Sequence, residues 1–191
     1  MGPPLHGGKR VFRGHRARGY ALPMSPRKTL LIVYHSMTDG TRQMADAARA
    51  GACSDKDGAV QVRLLHAAQA GAADVLGADG FIFATPENLA AISGQLKDFF
   101  DRSYYAVLDH VNGRPYACLV CAGSDGHNAA RQMERIATGW RLRAIAEPLF
   151  VCTHAQTPEA ILARKSIGSD ELERCRALGE AMAQGLALGV F

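Results

Sequence analysis

Several features that would place a chain in a large class at once are missing from this one. No apolar run approaches the roughly 20 residues that a membrane-spanning helix needs, so no membrane span is expected. Neither GxGxxG nor GxxxxGKS/T occurs, which counts against a dinucleotide Rossmann site and against a P-loop nucleotidase. Histidines and cysteines never converge at ligand spacing, so no metal site is expected. Nothing resembles a secretory signal, and the five cysteines are an odd number; reduced thiols in a cytoplasmic protein are the expectation. Acidic residues are absent from the first 26 positions, where Lys9, Arg10, Arg13, Arg16 and Arg18 stand. Those five charges leave the rest of the chain at about −1 of the total +4, which removes the case for a nucleic-acid face on the folded part.

What is present begins after that basic stretch. MGPPLHGGKRVFRGHRARGYALPMSP is rich in Gly, Pro and Arg and has no sustained hydrophobic period, so residues 1–27 read as a flexible extension. It lacks the amphipathic helix and serine content of a transit peptide, and Met24 is a second place at which translation could begin. From residue 28 to 191 the length suits one domain with a substantial core. Apolar runs at Leu30–His35, Val60–Leu65, Gly80–Thr85, Tyr116–Ala122 and Leu149–Thr153 read as strands. Helical patterns alternate with them near Thr41–Cys53, Ala72–Leu76, Ser93–Val107, Asn128–Trp140 and Asp170–Leu188. Such alternation implies an α/β fold, a parallel sheet covered on both faces. Cys118 and Cys121 form a CxxC, yet they lie in the strand-like PYACLVCAG, where residues three apart point to opposite faces; a core role is expected for both.

Ligands of such sheets sit outside the carboxyl ends of the strands, so the loops there carry the function. The first, Ser36–Thr41, joins LLIVYH to an amphipathic helix and offers hydroxyls, a glycine and helix N–H groups to an anion. The second runs Thr85-Pro86-Glu87-Asn88-Leu89-Ala90-Ala91 toward a helix at Ser93, and the third is Ala122-Gly123-Ser124-Asp125-Gly126-His127. All three carry turn formers and hydrogen-bonding side chains. A single phosphate at the first loop suits a mononucleotide better than a dinucleotide.

Three stretches, YHSMTDGTRQMA, ADGFIFATPENLAAISGQLKDFFDRSYY and GRPYACLVCAGSDG, resemble the flavodoxin-like family of FMN-binding proteins, in particular its NAD(P)H-dependent flavin and quinone oxidoreductase branch. The similarity runs from about Thr29 to the C-terminus. It implies a doubly wound five-stranded parallel sheet of order 2-1-3-4-5 with helices on both faces. It further implies that Ser36, Met37, Thr38, Asp39, Gly40 and Thr41 surround the FMN phosphate. Thr85, Pro86, Glu87, Asn88, Leu89 and Ala90 would run along the isoalloxazine ring, and Gly123, Ser124, Asp125 and Gly126 would close its other side. The family pattern often has glycine where this chain has Asp39. A carboxylate there repels a phosphate unless it points outward as a helix N-cap, which is the expectation.

Electron-carrier flavodoxins usually sandwich the ring between aromatic side chains; the second loop here has only Leu89 and the third has His127. One face of the flavin is therefore left open to a substrate or to a neighbouring subunit of a homo-oligomer, with Tyr104, Tyr105 and Trp140 as interface candidates against ordinary helix packing. The implied chemistry is hydride transfer from NADPH or NADH to the flavin, then onward to a small-molecule electron acceptor such as a quinone or flavin. His127 is the candidate proton source near the ring, and His154 borders the same rim. His35 reads as strand-end packing or a phosphate neighbour, and Glu87 as a turn former or a solvated side chain. Ser36 has no partners for a nucleophile's role. The alternative is a flavodoxin-type electron carrier, but carriers tend to be strongly acidic and this domain is nearly neutral.

Overall fold

A run of four residues with no solvent exposure, Leu30 to Val33, opens the fold at β1 (Lys28–Tyr34). Uninterrupted apolar character is what a parallel strand buried on both faces requires. The computed structural model describes residues 1–2, 27–54 and 58–191, so the expected N-terminal extension lies outside the described residues except for residues 1, 2 and 27. After β1 come α1 (Gly40–Ala52), β2 (Val60–His66), α2 (Ala72–Leu76), β3 (Gly80–Asn88), β4 (Ala91–Ile92) and α3 (Gly94–Val107). The chain continues through β5 (Pro115–Ala122), α4 (His127–Gly139), β6 (Arg143–Ala144), β7 (Leu149–Cys152), α5 (Pro158–Leu162) and α6 (Ser169–Leu188).

The sheet has the order β2-β1-β3-β5, with β6 and β7 both beside β5, and all these pairings are parallel. This is the expected doubly wound, flavodoxin-like arrangement with its outermost strand in two pieces. Arg143–Ala144 pairs with the start of β5 and Leu149–Cys152 with its end. Pro148 lies between them, and a proline cannot donate to the ladder. A second difference is β4, a two-residue antiparallel strand folded back on β3.

Side-chain alternation along each strand sorts the core into two layers. Leu31, Val33, Phe81, Phe83, Cys118 and Val120 pack toward α2, α3 and α4, while Leu30, Ile32, Ile82, Ala84, Leu119 and Cys121 pack toward α1 and α6. The CxxC cysteines thus face opposite layers, as the strand reading expects. Phe83 anchors the first layer, edge-on to Phe100 at 4.9 Å and to Trp140 at 6.3 Å. Trp140 is only 1% exposed, so it belongs to the core rather than to an interface. Tyr104 packs partly against that core, whereas Tyr105 stands exposed beside it. In the second layer α1 crosses α6 backbone to backbone: a Cβ on Gly51 would fall on the Arg176 carbonyl, and one on Gly179 on the Ala48 carbonyl. This tight crossing holds α1, and with it the first loop, against the carboxyl edge of the sheet.

Candidate functional site

The first loop leaves β1 at His35 and enters α1 through Asp39, whose φ of 72° and ψ of −10° lie in the left-handed region. Glycine takes that conformation freely and Asp or Asn tolerates it, which explains a glycine preference at this turn. Asp39 does not cap the helix as expected, since its side chain makes no capping hydrogen bond. Its Oδ2 instead accepts from Arg164, through Nε at 2.9 Å and Nη2 at 2.6 Å. Gly40 is required by close approach, because a Cβ there would stand 2.7 Å from the Cys121 Sγ of β5. The hydroxyls of Ser36 and Thr41 are buried and have no hydrogen-bond partner among the described residues, Thr41 being 1% exposed. The Cys121 thiol beside Thr41 is too weak a partner to meet that need. First-turn N–H groups of α1 likewise lack intrahelical acceptors. Buried donors without acceptors, gathered at a helix N-terminus, fit a phosphate.

The second loop is mostly strand. β3 runs on through Pro86, Glu87 and Asn88, turns at Leu89 (φ 50°) and Ala90 (φ 59°), and returns as β4. Two successive left-handed residues make the tight turn whose twist suits a hairpin. Thr85 is fully buried, and its hydroxyl accepts from Ser93 N at 3.0 Å while donating to Pro86 O at 2.9 Å, so it braces the α3 start instead of facing a ligand. Ser93 in turn caps α3, accepting from Leu96 N at 3.3 Å. Glu87 ties the second loop to the third, its Oε2 accepting from Gly126 N at 3.1 Å. Asn88 approaches the Met37 sulfur at 3.4 Å, joining the second loop to the first. Leu89 projects entirely into solvent, and the Ala90 carbonyl is held by the Asn128 amide.

In the third loop Ser124 and Asp125 are exposed, and Gly126 turns the chain into α4 with φ 82°. A side chain at Gly126 would also meet Phe150, Ala122 and Val120 at 3.0–3.1 Å. His127 is exposed, its ring 4.6 Å from Phe150 and its Nε2 3.6 Å from Asp125 Oδ1. His154 also faces outward, in a left-handed conformation. Neither histidine lines the cleft described next.

Ser36, Met37, Thr38 and Thr41 of the first loop meet Pro86, Glu87 and Asn88 of the second and Gly123 of the third around one narrow cleft of about 130 Å³. Residues that the sequence reading passed over complete it: Cys121, Thr153, Ala155, Ile161, Leu162 and Lys165. The cleft is below the roughly 300–1,000 Å³ of ligand pockets, and Ile161 and Leu162 of α5 form part of its wall. That part of the wall is lightly held, since α5 buries none of its residues. On the other side of the first loop lies an open bay of about 460 Å³, bordered by Tyr34, Asp39, Arg42, His66, Leu162 and Arg164. A signal for α5 does exist in the sequence: Thr157 caps Ala160 N at 3.2 Å and Pro158 opens the helix, a favoured start. The segment after it is laced to the first loop. Lys165 N donates to Thr38 O at 2.7 Å, and Gln43 bridges Lys165 O at 2.8 Å and Ile167 N at 3.2 Å.

Burial disfavours the charged forms of His35, Cys121 and Cys118. Burial, and then the charge on His66, lowers the pKa of His35, whose Nδ1 has no partner among the described residues and whose ring meets that of His66 edge-on at 5.5 Å. Burial pushes the Cys121 thiol up to about 11, with the Thr41 hydroxyl and Lys165 pulling the other way. Cys118, deeper still, is pushed up to about 12. Neither thiol is poised as a nucleophile. Among the described residues no cluster of three His, Cys, Asp or Glu side chains could hold a metal, and no helix is long and apolar enough to cross a membrane.

Comparison with known proteins fits this geometry. The chain is 27% identical over 169 residues to a flavodoxin of Aquifex aeolicus, an alignment covering 84% of this chain and 88% of that one. Its fold matches a WrbA-like flavodoxin of Agrobacterium tumefaciens with a TM-score of 0.64 at 19% identity, over 85% of this chain and 98% of that one. It also matches an NADH:FMN oxidoreductase in its apo form, with a TM-score of 0.62 at 19% identity, over 83% and 90% of the two chains. These structural likenesses concern the fold. The family model for NADPH-dependent FMN reductase matches residues 33–157, which span all three loops and most of the sheet, and the chain belongs to that family.

Proposed function

We propose that this protein is an FMN-dependent oxidoreductase that passes electrons from NADPH or NADH to a small acceptor such as a quinone or flavin. The observation that carries the reading is the pair of buried, unpartnered hydroxyls of Ser36 and Thr41 at the N-terminus of α1. Together with the first-turn N–H groups they are the donors a flavin phosphate would satisfy. Gly40 keeps that cradle close to β5. Pro86, Glu87 and Asn88 would line one side of the ring and Gly123 the other, with Glu87 holding the second and third loops in register through Gly126. A bound FMN would supply the hydride- and electron-transfer chemistry, and these residues would orient it. Ile161 and Leu162 would border the bound flavin from α5, a helix that buries none of its own residues.

The similarity to a flavodoxin favours a second reading, an electron carrier that docks on protein partners. The near-neutral charge outside the basic N-terminal stretch opposes it, as does the aliphatic Leu89 where a carrier has an aromatic cover. Visible spectroscopy with anaerobic addition of NADPH or NADH separates the two. Bleaching of a yellow protein by a nicotinamide and reoxidation by a quinone is the expected result. A yellow protein that neither nicotinamide bleaches makes it a carrier, and a protein that takes up no FMN refutes both.

A further inference from the structure

Arg164 carries its charge at the surface beside the first loop. It is 83% exposed, yet its guanidinium is aimed back at Asp39 and holds one carboxylate oxygen through two nitrogens. The Asp39 side chain is 23% exposed, and a pair whose arginine stands so far in solvent adds little to folding. The location gives the contact another use. Asp39 sits between Thr38 and Gly40, in the same turn as the unpartnered hydroxyls of Ser36 and Thr41. A free carboxylate at that turn would oppose any phosphate brought to those donors. We propose that Arg164 is a determinant of flavin-phosphate binding: by pairing with Asp39 it cancels the negative charge inside the phosphate loop. The proposal rests on the FMN reading of this loop and adds a residue outside the three loops that define it.

The placement of Arg164 is built. The next residue is pinned to the loop from both sides, Lys165 N donating to Thr38 O at 2.7 Å and Gln43 Nε2 donating to Lys165 O at 2.8 Å. The same Gln43 amide reaches Asp39 O at 3.2 Å, so strap and loop share one bracket. The neighbouring cations are engaged elsewhere. Lys165 Nζ is spent on the carbonyls of Ala160, Ile161 and Ala163, where it closes the end of α5. Arg42 faces the same bay but leans toward Asp46 at 3.6 Å. Among the described residues, Arg164 is the cation that meets Asp39.

The test compares FMN with riboflavin, which has the same ring and no phosphate, on the unaltered protein, Arg164→Ala and the double variant Arg164→Ala/Asp39→Asn. Asparagine is chosen because it tolerates the left-handed turn. Flavin fluorescence titration at low salt should show Arg164→Ala weakening FMN binding about tenfold or more, with less effect at high salt. Riboflavin binding should stay within about twofold, since a charge effect acts only on the charged ligand. The double variant should recover most of the lost FMN affinity. Equal loss for FMN and riboflavin would make Arg164 a structural strap and overturn the proposal. So would an unchanged FMN affinity in Arg164→Ala, or a double variant as weak as the single one. An unaltered protein that binds no FMN takes down both the proposal and the reading beneath it, and that result is seen before any variant is made.

Discussion

Replacing Thr41 by valine should make the flavin-free protein more stable and its FMN binding weaker. The Thr41 hydroxyl is buried without a hydrogen-bond partner among the described residues, a state that costs about 1–3 kcal/mol. Because the Cys121 thiol gives it weak company, the low end, about 1 kcal/mol, is the working figure. Valine has the same shape and is also β-branched, so it fills the space and leaves the helix start unaffected. For a chain of this size about 1 kcal/mol raises the melting temperature by about 2–4 °C. The same change removes one donor to a phosphate, and a hydrogen bond to a charged group is worth about 1.5–3 kcal/mol. The FMN dissociation constant should therefore rise at least about tenfold. Thermal melting with and without FMN reads both effects at once: the flavin-free melt moves up and the FMN-induced increment shrinks. A variant that melts no higher without FMN and binds it as tightly would refute the inference that this hydroxyl waits for an anion.

Three further outcomes test other parts of the structure. Gly179→Ala should destabilise the protein by about 3 kcal/mol or more, because its Cβ would fall on the Ala48 carbonyl where α1 and α6 touch; urea denaturation measures it. Glu87→Ala should cost about 1 kcal/mol in the same assay and speed hydrogen exchange at the Gly126 amide, whose acceptor it removes. His35 predicts a pH dependence. Its folded pKa lies below 6.5, so the unfolded chain binds more protons and the neutral-histidine contribution to stability is present above about pH 6.5, then lost as pH falls toward the folded pKa. His35→Gln should flatten that part of the stability profile, and an unchanged slope would show that another group titrates there.

Much of this protein was legible one residue at a time. Continuous apolar runs such as Leu30–Val33 and Tyr116–Ala122 had to be parallel strands, because only a strand covered on both faces can be apolar on both. The CxxC separated into two layers as strand alternation required, and the loops at Ser36, Pro86 and Gly123 met at the carboxyl edge as the parallel topology demanded. Features set by contacts distant in sequence were out of reach. The Leu89–Ala90 turn carries no Asn-Gly signal, and its left-handed pair is held by β4 and by Asn128 from α4. Thr85 looked like a ligand-facing hydroxyl until Ser93, eight residues on, claimed it. Asp39 looked like a helix cap, but its partner is Arg164, 125 residues away. Sequence by itself determined which residues are apolar, where the chain must turn, and hence the sheet and the loops at its edge. Only the tertiary structure decided which polar groups in those loops are already paired and which remain free for a ligand, because hydrogen bonds and charges are satisfied through space and not along the chain.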